Sequence, residues 1–143
     1  MPHTNKTLGG GGIHHVAIRV RDFDKSHAFY TRVLGFTERL HWSEKPRRAA
    51  MLDTGDGNYV EMFERVDQKP PAADGGEPII LHFAIRTTTI DDAVERARSA
   101  GCEVTMEPKD INVEAKQGVV PIRIAFFKGP DGEVVELFQN ELT

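Results

Sequence analysis

Two stretches of the chain place a histidine, an alanine and an arginine at alternate positions. The first is His15-Val16-Ala17-Ile18-Arg19 and the second is His82-Phe83-Ala84-Ile85-Arg86. Because alternate side chains of a β-strand share a face, each stretch predicts one apolar face and one face that carries an imidazole and a guanidinium. Imidazole nitrogen is a common metal ligand and guanidinium binds carboxylates, so these faces favour metal and anion chemistry.

A second repeated pattern supplies carboxylates. Asp56-Gly57 precedes a run that holds Glu61, and Asp131-Gly132 precedes a run that holds Glu136. Asp-Gly is typical of a tight turn, and in both copies the glutamate stands four residues after the glycine, in mid-strand. Two histidines and two glutamates therefore occupy equivalent places in two halves of the chain.

Imidazole nitrogen and carboxylate oxygen together suit zinc, nickel, cobalt, manganese or iron(II). A single histidine or glutamate in a strand is usually structural, but the repetition with matching parity favours a metal site. The four candidate ligands reach one point if each glutamate strand pairs with the histidine strand of its own copy. Arg19 and Arg86 share the ligand face, where each either anchors a substrate carboxylate or forms a salt bridge inside the cleft.

Composition limits the classes of function. The chain has 143 residues, a formal net charge of −4 and one cysteine, so a nucleic-acid partner is not indicated and no intramolecular disulfide can form. No apolar run approaches membrane-spanning length, and the N-terminus has no apolar signal segment. We therefore expect a cytoplasmic protein.

The order of predicted elements restarts halfway along the chain. Residues 1–12 are polar and end in four glycines, which predicts a flexible tail. Residues 13–143 form one domain, made of module one (13–66), a surface linker (67–78) rich in proline and glycine, and module two (79–140). Each module reads as β-α-β-β-β, with a longer polar connection over residues 107–120 in the second.

These residues resemble the vicinal oxygen chelate superfamily, also called the glyoxalase, bleomycin-resistance and dioxygenase superfamily. The motifs that carry the resemblance are I-H-H-V-A-I-R-V, F-Y-T-R-V-L-G-F, Y-V-E-M-F, L-H-F-A-I and G-P-D-G-E-V-V-E-L-F, which together span most of the chain. The resemblance implies an α+β fold in which paired βαβββ modules form a curved mixed sheet around a metal-binding cleft. It places the metal ligands at His15, Glu61, His82 and Glu136.

Within that superfamily, the ligand set is most similar to that of glyoxalase I. This implies a lyase or isomerase that uses a divalent metal, zinc or nickel first, to stabilise an enediolate on a small carbonyl or thioester substrate. Glu136, or else Glu61, would move the proton, and Arg19 matches the arginine that holds the glutathione carboxylate. The substrate is then a small molecule such as a glutathione or coenzyme A derivative.

Other functions fit the same resemblance. Methylmalonyl-CoA epimerases share the proton-transfer step, iron(II) ring-cleaving dioxygenases share the fold, and drug-sequestering relatives bind a small molecule without metal. Two-fold dimers are common among soluble oligomers, so we expect a homodimer. No nucleic acid or membrane is expected as a partner.

Overall fold

The structure is a computed structural model, and it describes residues 4–33, 35–66, 79–129, 132 and 134–141. The fold is α+β, mostly strands with two α-helices among the described residues. The elements are β1 (Ile13–Val20), α1 (Phe23–Ala28), β2 (Thr37–Glu44), β3 (Arg47–Asp53), β4 (Tyr59–Glu64), β5 (Ile80–Arg86), α2 (Ile90–Ser99), β6 (Glu103–Ala115), β7 (Gly118–Lys128) and β8 (Val134–Gln139). The predicted β-α-β-β-β order of both modules is confirmed.

The chain divides into two compact units. The β1 unit spans His15–Leu81 and Glu114–Val119, and the β5 unit spans Met1–His14, His82–Val113 and Val120–Thr143, each as far as its residues are described. The predicted linker, residues 67–78, lies outside the described residues. The module boundaries drawn from the sequence stay a prediction.

In the β1 unit the sheet order is β1-β4-β3-β2, with β1 parallel to β4 and the other pairs antiparallel. Asp22 caps α1 by accepting a hydrogen bond from the Lys25 N–H at 2.9 Å. A π-helical turn (Phe29–Val33) directly follows α1. Gly35, at φ +74°, follows this turn, as expected for a residue that ends a helix.

The core of the β1 unit lies between α1 and one face of its sheet. Its buried members are Phe23, Ala50, Leu52 and Met62. Ile18 and Val20 of β1 pack against them, so these two positions and Met62 of β4 face the helix. Alternation then requires His15 and Glu61 to lie on the other face.

The β5 unit repeats this plan. Its sheet order is β5-β8-β7-β6, with β5 parallel to β8 and β7 antiparallel to β8. The buried core between α2 and the sheet consists of Ile90, Ala93, Val94, Ala125 and Leu137. Because Leu137 faces the helix, its neighbour Glu136 faces away from it.

The predicted polar connection over residues 107–120 is wrong. β6 extends to Ala115 and β7 starts at Gly118, so only Lys116 and Gln117 separate two long antiparallel strands. Most side chains along the distal part of this hairpin are exposed. The strand is therefore held by backbone hydrogen bonds more than by apolar burial, and hydrophobic content underestimates its length.

The N-terminal segment has more local structure than its glycine content indicates. Lys6–Leu8 form a 3-10 helix, and the Asn5 side chain accepts hydrogen bonds from the backbone N–H groups of Thr7 and Leu8. Leu8 packs against the α2 core, and its carbonyl accepts a bond from the Thr88 N–H at 3.1 Å. The flexibility predicted for residues 1–12 stays a prediction, but residues 5–12 have defined contacts within the β5 unit.

Asp53 holds the turn between β3 and β4. Its Oδ1 accepts the Gly55 N–H at 2.7 Å and the Gly57 N–H at 3.3 Å, while Arg39 donates to Oδ2. The backbone hydrogen bond from Gly55 outweighs burial, and with help from Arg39 it lowers the pKa of the Asp53 carboxyl.

We expect Asp53→Asn to lower the free energy of unfolding at neutral pH by about 1–3 kcal/mol, because a charged acceptor of several hydrogen bonds is lost. The folded pKa is depressed, so the stabilisation is present above the unfolded pKa and lost as pH falls through the folded value. Urea denaturation should therefore show a wild-type to variant difference that shrinks in acid. Glu44→Gln, at an exposed carboxylate of the same unit, is the control. A difference independent of pH would contradict this account.

Candidate metal and substrate site

His15 and Glu61 form the first candidate pair, in the β1 unit. The parallel pairing of β1 with β4 sets Ala17 opposite Glu61, and the His15 Nε2 lies 3.1 Å from the Glu61 Oε2. His15 is fully buried and Glu61 nearly so. Ala17 has no exposed surface, and its small side chain leaves room for the imidazole and the carboxylate beside it.

His82 and Glu136 form an equivalent pair in the β5 unit. The pairing of β5 with β8 sets Ala84 opposite Glu136, and the His82 Nε2 lies 2.9 Å from the Glu136 Oε2. The Phe126 ring packs edge-on against His82 at 5.2 Å between centroids. The two pairs thus have the same residue types, the same register and nearly the same separation, and each glutamate strand pairs with the histidine strand of its own copy.

Each pair has the donor chemistry that a divalent transition metal requires. A metal ion in such a site lies about 2.1 Å from each ligand atom. Two ligand atoms at adjacent coordination positions are then roughly 3 Å apart. The histidine and glutamate atoms of both pairs have this separation. The imidazole and the carboxylate of each pair are also within ion-pair distance of one another. The residues in each unit therefore fit a metal, and without one the buried carboxylate still has a partner.

The histidine next to the first pair has a different environment. His14 is fully buried, and its ring lies 4.1 Å from the Phe138 ring between centroids, tilted by 32°. His14 lines a cavity of about 140 Å³ in the β5 unit.

The two arginines of the repeated motif lie in different surroundings. Arg19 is half-buried in the β1 unit, and its backbone N–H donates to the Ile79 carbonyl at 2.8 Å. Arg86 lines the cavity beside His14, and its Nη1 donates to the Ile13 carbonyl at 2.6 Å. The geometry thus associates a cavity with Arg86, although the sequence slightly favours Arg19 as the anchor.

Sequence reasoning missed the other residues of that cavity. Asn140 is four residues after Glu136, as Arg86 is four residues after His82, and Asn140 directly follows the end of β8. That spacing was the available signal. The contribution of the backbone at Gly9, Gly10 and Gly11 had no sequence signal beyond the glycines themselves.

Comparison with known proteins identifies the family. The profile of the Glyoxalase/Bleomycin resistance protein/Dioxygenase superfamily matches residues 12–137, most of the chain. The chain belongs to this superfamily. The superfamily resemblance predicted from the motifs is therefore confirmed.

Members of the superfamily with similar sequences include an uncharacterized protein and a lyase. YwkD of Bacillus subtilis, an uncharacterized protein, is 34% identical over 90% of this chain and 96% of its own length. A probable lactoylglutathione lyase of Vibrio cholerae is 33% identical over 89% of each chain.

A solved structure of a superfamily member has the same fold. A variant of the methylmalonyl-CoA epimerase of Streptomyces coelicolor, in complex with 2-nitronate-propionyl-CoA, superposes with a TM-score of 0.64. It is 27% identical, and the match covers 90% of this chain and 96% of the epimerase. The members of the superfamily are mostly enzymes.

Among the described residues, no helix of the chain is both long and apolar enough to cross a bilayer.

We expect Ala84→Leu to disturb the His82–Glu136 pair. Ala84 is fully buried opposite Glu136, so a larger side chain must displace a neighbour, at a cost of about 1–3 kcal/mol in the free energy of unfolding. Urea denaturation measures the stability, and the NMR signal of the His82 ring reports the local change. Ala93→Leu, in the core under α2, serves as a control that should destabilise the unit while leaving the His82 signal nearly in place. An unchanged His82 signal in the Ala84 variant would contradict the crowding.

Proposed function

We propose that the protein is a metal-dependent lyase or isomerase that moves a proton next to a carbonyl group. The proposal assigns His15, Glu61, His82 and Glu136 as four ligands of one divalent ion, with zinc or nickel the first candidates and cobalt, manganese or iron the others. The observation that carries it is the pair of equivalent His–Glu contacts, one in each unit.

The equivalent geometry of the two His–Glu pairs supports a shared role in binding the ion. A single buried His–Glu contact is common as a structural element, but each unit builds the same contact from the same register. Burying a carboxylate is costly unless it has a charged or hydrogen-bonding partner, so selection for stability alone would favour apolar residues at these positions. Superfamily membership supports the metal.

A bound divalent ion would polarise a substrate carbonyl and stabilise negative charge on its oxygen. In this proposal Glu136 removes the proton from the adjacent carbon and returns it to the neighbouring one, with Glu61 as the second candidate for that role. Phe126, in register with Glu136 and packed on His82, supplies an apolar wall that excludes water beside the base. His15 and His82 stay in place to hold the ion.

The proposed substrate is a small carbonyl compound or a thioester with an anionic group. Arg19 and Arg86 are the proposed anchors, because a guanidinium binds a carboxylate with two parallel hydrogen bonds. A glutathione hemithioacetal is supported by the lactoylglutathione lyase relative, and a coenzyme A thioester by the epimerase neighbour. Both reactions begin with the same proton removal, so epimerisation is the second candidate function.

The test of the catalytic role compares Glu136→Gln with Glu95→Gln. We expect Glu136→Gln to lower turnover by about 100-fold or more, since general-base catalysis is worth that much, while the exposed Glu95 variant keeps the wild-type rate. The assays are isomerisation of the methylglyoxal–glutathione hemithioacetal and epimerisation of methylmalonyl-CoA, each on metal-loaded protein. Circular dichroism confirms that both variants fold.

Three kinds of result would contradict the proposal. Wild-type turnover in the Glu136 variant would remove that residue from the chemistry. If the protein shows neither isomerisation nor epimerisation, and its iron-loaded form cleaves an aromatic ring and consumes oxygen, the protein is instead a dioxygenase. Unchanged binding of a drug ligand after chelation would indicate a metal-free binding protein.

The metal assignment has its own test. We expect one divalent ion per chain by elemental analysis of the purified protein, and loss of turnover after chelation that the same ion restores. His82→Ala removes one ligand and should weaken ion binding, whereas His27→Ala, outside both pairs, should not. Equal ion binding by these two variants would exclude His82 as a ligand. The homodimer and the cytoplasmic location stay predictions.

A further inference from the structure

The glycine-rich N-terminal segment forms part of the wall of the cavity next to Arg86. Residues 5–12, called the strap below, begin with a bridge in which Asn5 and Gly10 exchange backbone hydrogen bonds at 2.9 Å. The strap then contributes the backbone of Gly9, Gly10 and Gly11 to the cavity wall. Neither the superfamily match nor the proposed chemistry gives these residues a role.

Hydrogen bonds join the strap to Arg86 at the end of β5 and to the two threonines that follow it. The Thr87 and Thr88 hydroxyls donate to the Leu8 and Gly9 carbonyls, each at 3.1 Å, and the Arg86 N–H donates to the Gly12 carbonyl at 2.9 Å. A Cβ on Gly9 would lie 1.9 Å from the Thr88 hydroxyl oxygen, and Gly9 has φ +66°. Only glycine permits this close approach, so the position of the strap beside Thr88 requires a glycine at residue 9.

The cavity has the charge and the donors of an anion site. Arg86 gives it a fixed positive charge, and Gln139 and Asn140 add side-chain amides. Among the described residues that line it, none is a carboxylate. The Nη1 bond to Ile13 fixes the guanidinium at the wall, which reduces the entropy lost when a ligand binds.

The size of the cavity limits the ligand. Its volume of about 140 Å³ is close to that of a cavity that holds one benzene molecule. A carboxylate with its neighbouring carbons or a phosphate group fits this space.

We propose that the strap and Arg86 together bind a small oxyanion group, a carboxylate or a phosphate, at one end of the substrate. This inference rests on the proposed function for the identity of the ligand, and it deepens that function by naming the group at the far end. His82 and Arg86 are four residues apart on one face of β5, about 13 Å along the strand. The substrate is therefore an extended molecule with its reacting carbonyl and its anionic end that far apart.

The test measures anion binding rather than turnover. The full chain, labelled with nitrogen-15 and treated with a chelator, is titrated with sodium phosphate or with sodium acetate at constant ionic strength, using sodium chloride as the blank. We expect saturable shifts of the amide signals of Gly9, Gly10 and Gly11. Arg86→Gln should weaken this binding by about 10-fold or more, the loss typical of a charge-assisted hydrogen bond.

Three further variants distinguish a role of the strap from a general effect of positive charge. Arg98→Gln removes an exposed guanidinium from the same unit and should bind the anion as the wild type does. Gly9→Ala displaces the strap from Thr88 and should weaken binding while circular dichroism stays unchanged, and Thr88→Val tests the same contact without changing the strap sequence.

Each outcome decides the proposal. Binding of acetate alone assigns a carboxylate, binding of phosphate alone assigns a phosphate ester, and either supports the site if Arg86→Gln weakens it. Absence of saturable shifts with both anions, or equal binding by the Arg86 and Arg98 variants, overturns it. The readout does not depend on Glu136, so an inactive lyase assay would not by itself count against the anion site.

Discussion

The alternation of side chains along two parallel strand pairs is the constraint on which the candidate site depends. Glu61 faces away from the helix because its neighbour Met62 is buried against α1, and Glu136 does so because Leu137 is buried under α2. A shift of one residue in either register would move the carboxylate into the apolar core and the apolar residue out of it. The hydrophobic core therefore fixes the orientation of the polar pairs.

This arrangement also explains why the pairs are stable. Glu61 and Glu136 are nearly buried, and a buried carboxylate is costly unless a partner compensates for the lost water. In each unit the imidazole is that partner, and a fully buried alanine beside it leaves the necessary space. The imidazole and carboxylate atoms that lie in contact in each pair are the atoms that could hold a metal, so the fold does not need to rearrange to provide ligands.

The sequence predicted what is repeated and missed what occurs once. The equivalent positions of His15 with Glu61 and of His82 with Glu136 could be predicted, because strand parity and turn spacing are local properties that occur in both copies. The β6–β7 hairpin could not, because its exposed polar strands lack the apolar alternation that marks a strand. The contacts of residues 5–12 with Thr87 and Thr88 depend on residues about eighty positions apart, which no local pattern reports.

The composition of the β5 unit has a consequence for how the chain is made. This unit combines the first residues of the chain, up to His14, with residues from His82 onward. During synthesis the strap must wait for the second half of the chain before Thr87 and Thr88 can bond to it, and such distant contacts form slowly. A change in residues 5–12 is therefore expected to affect the folding of the β5 unit, most of which lies beyond residue 82.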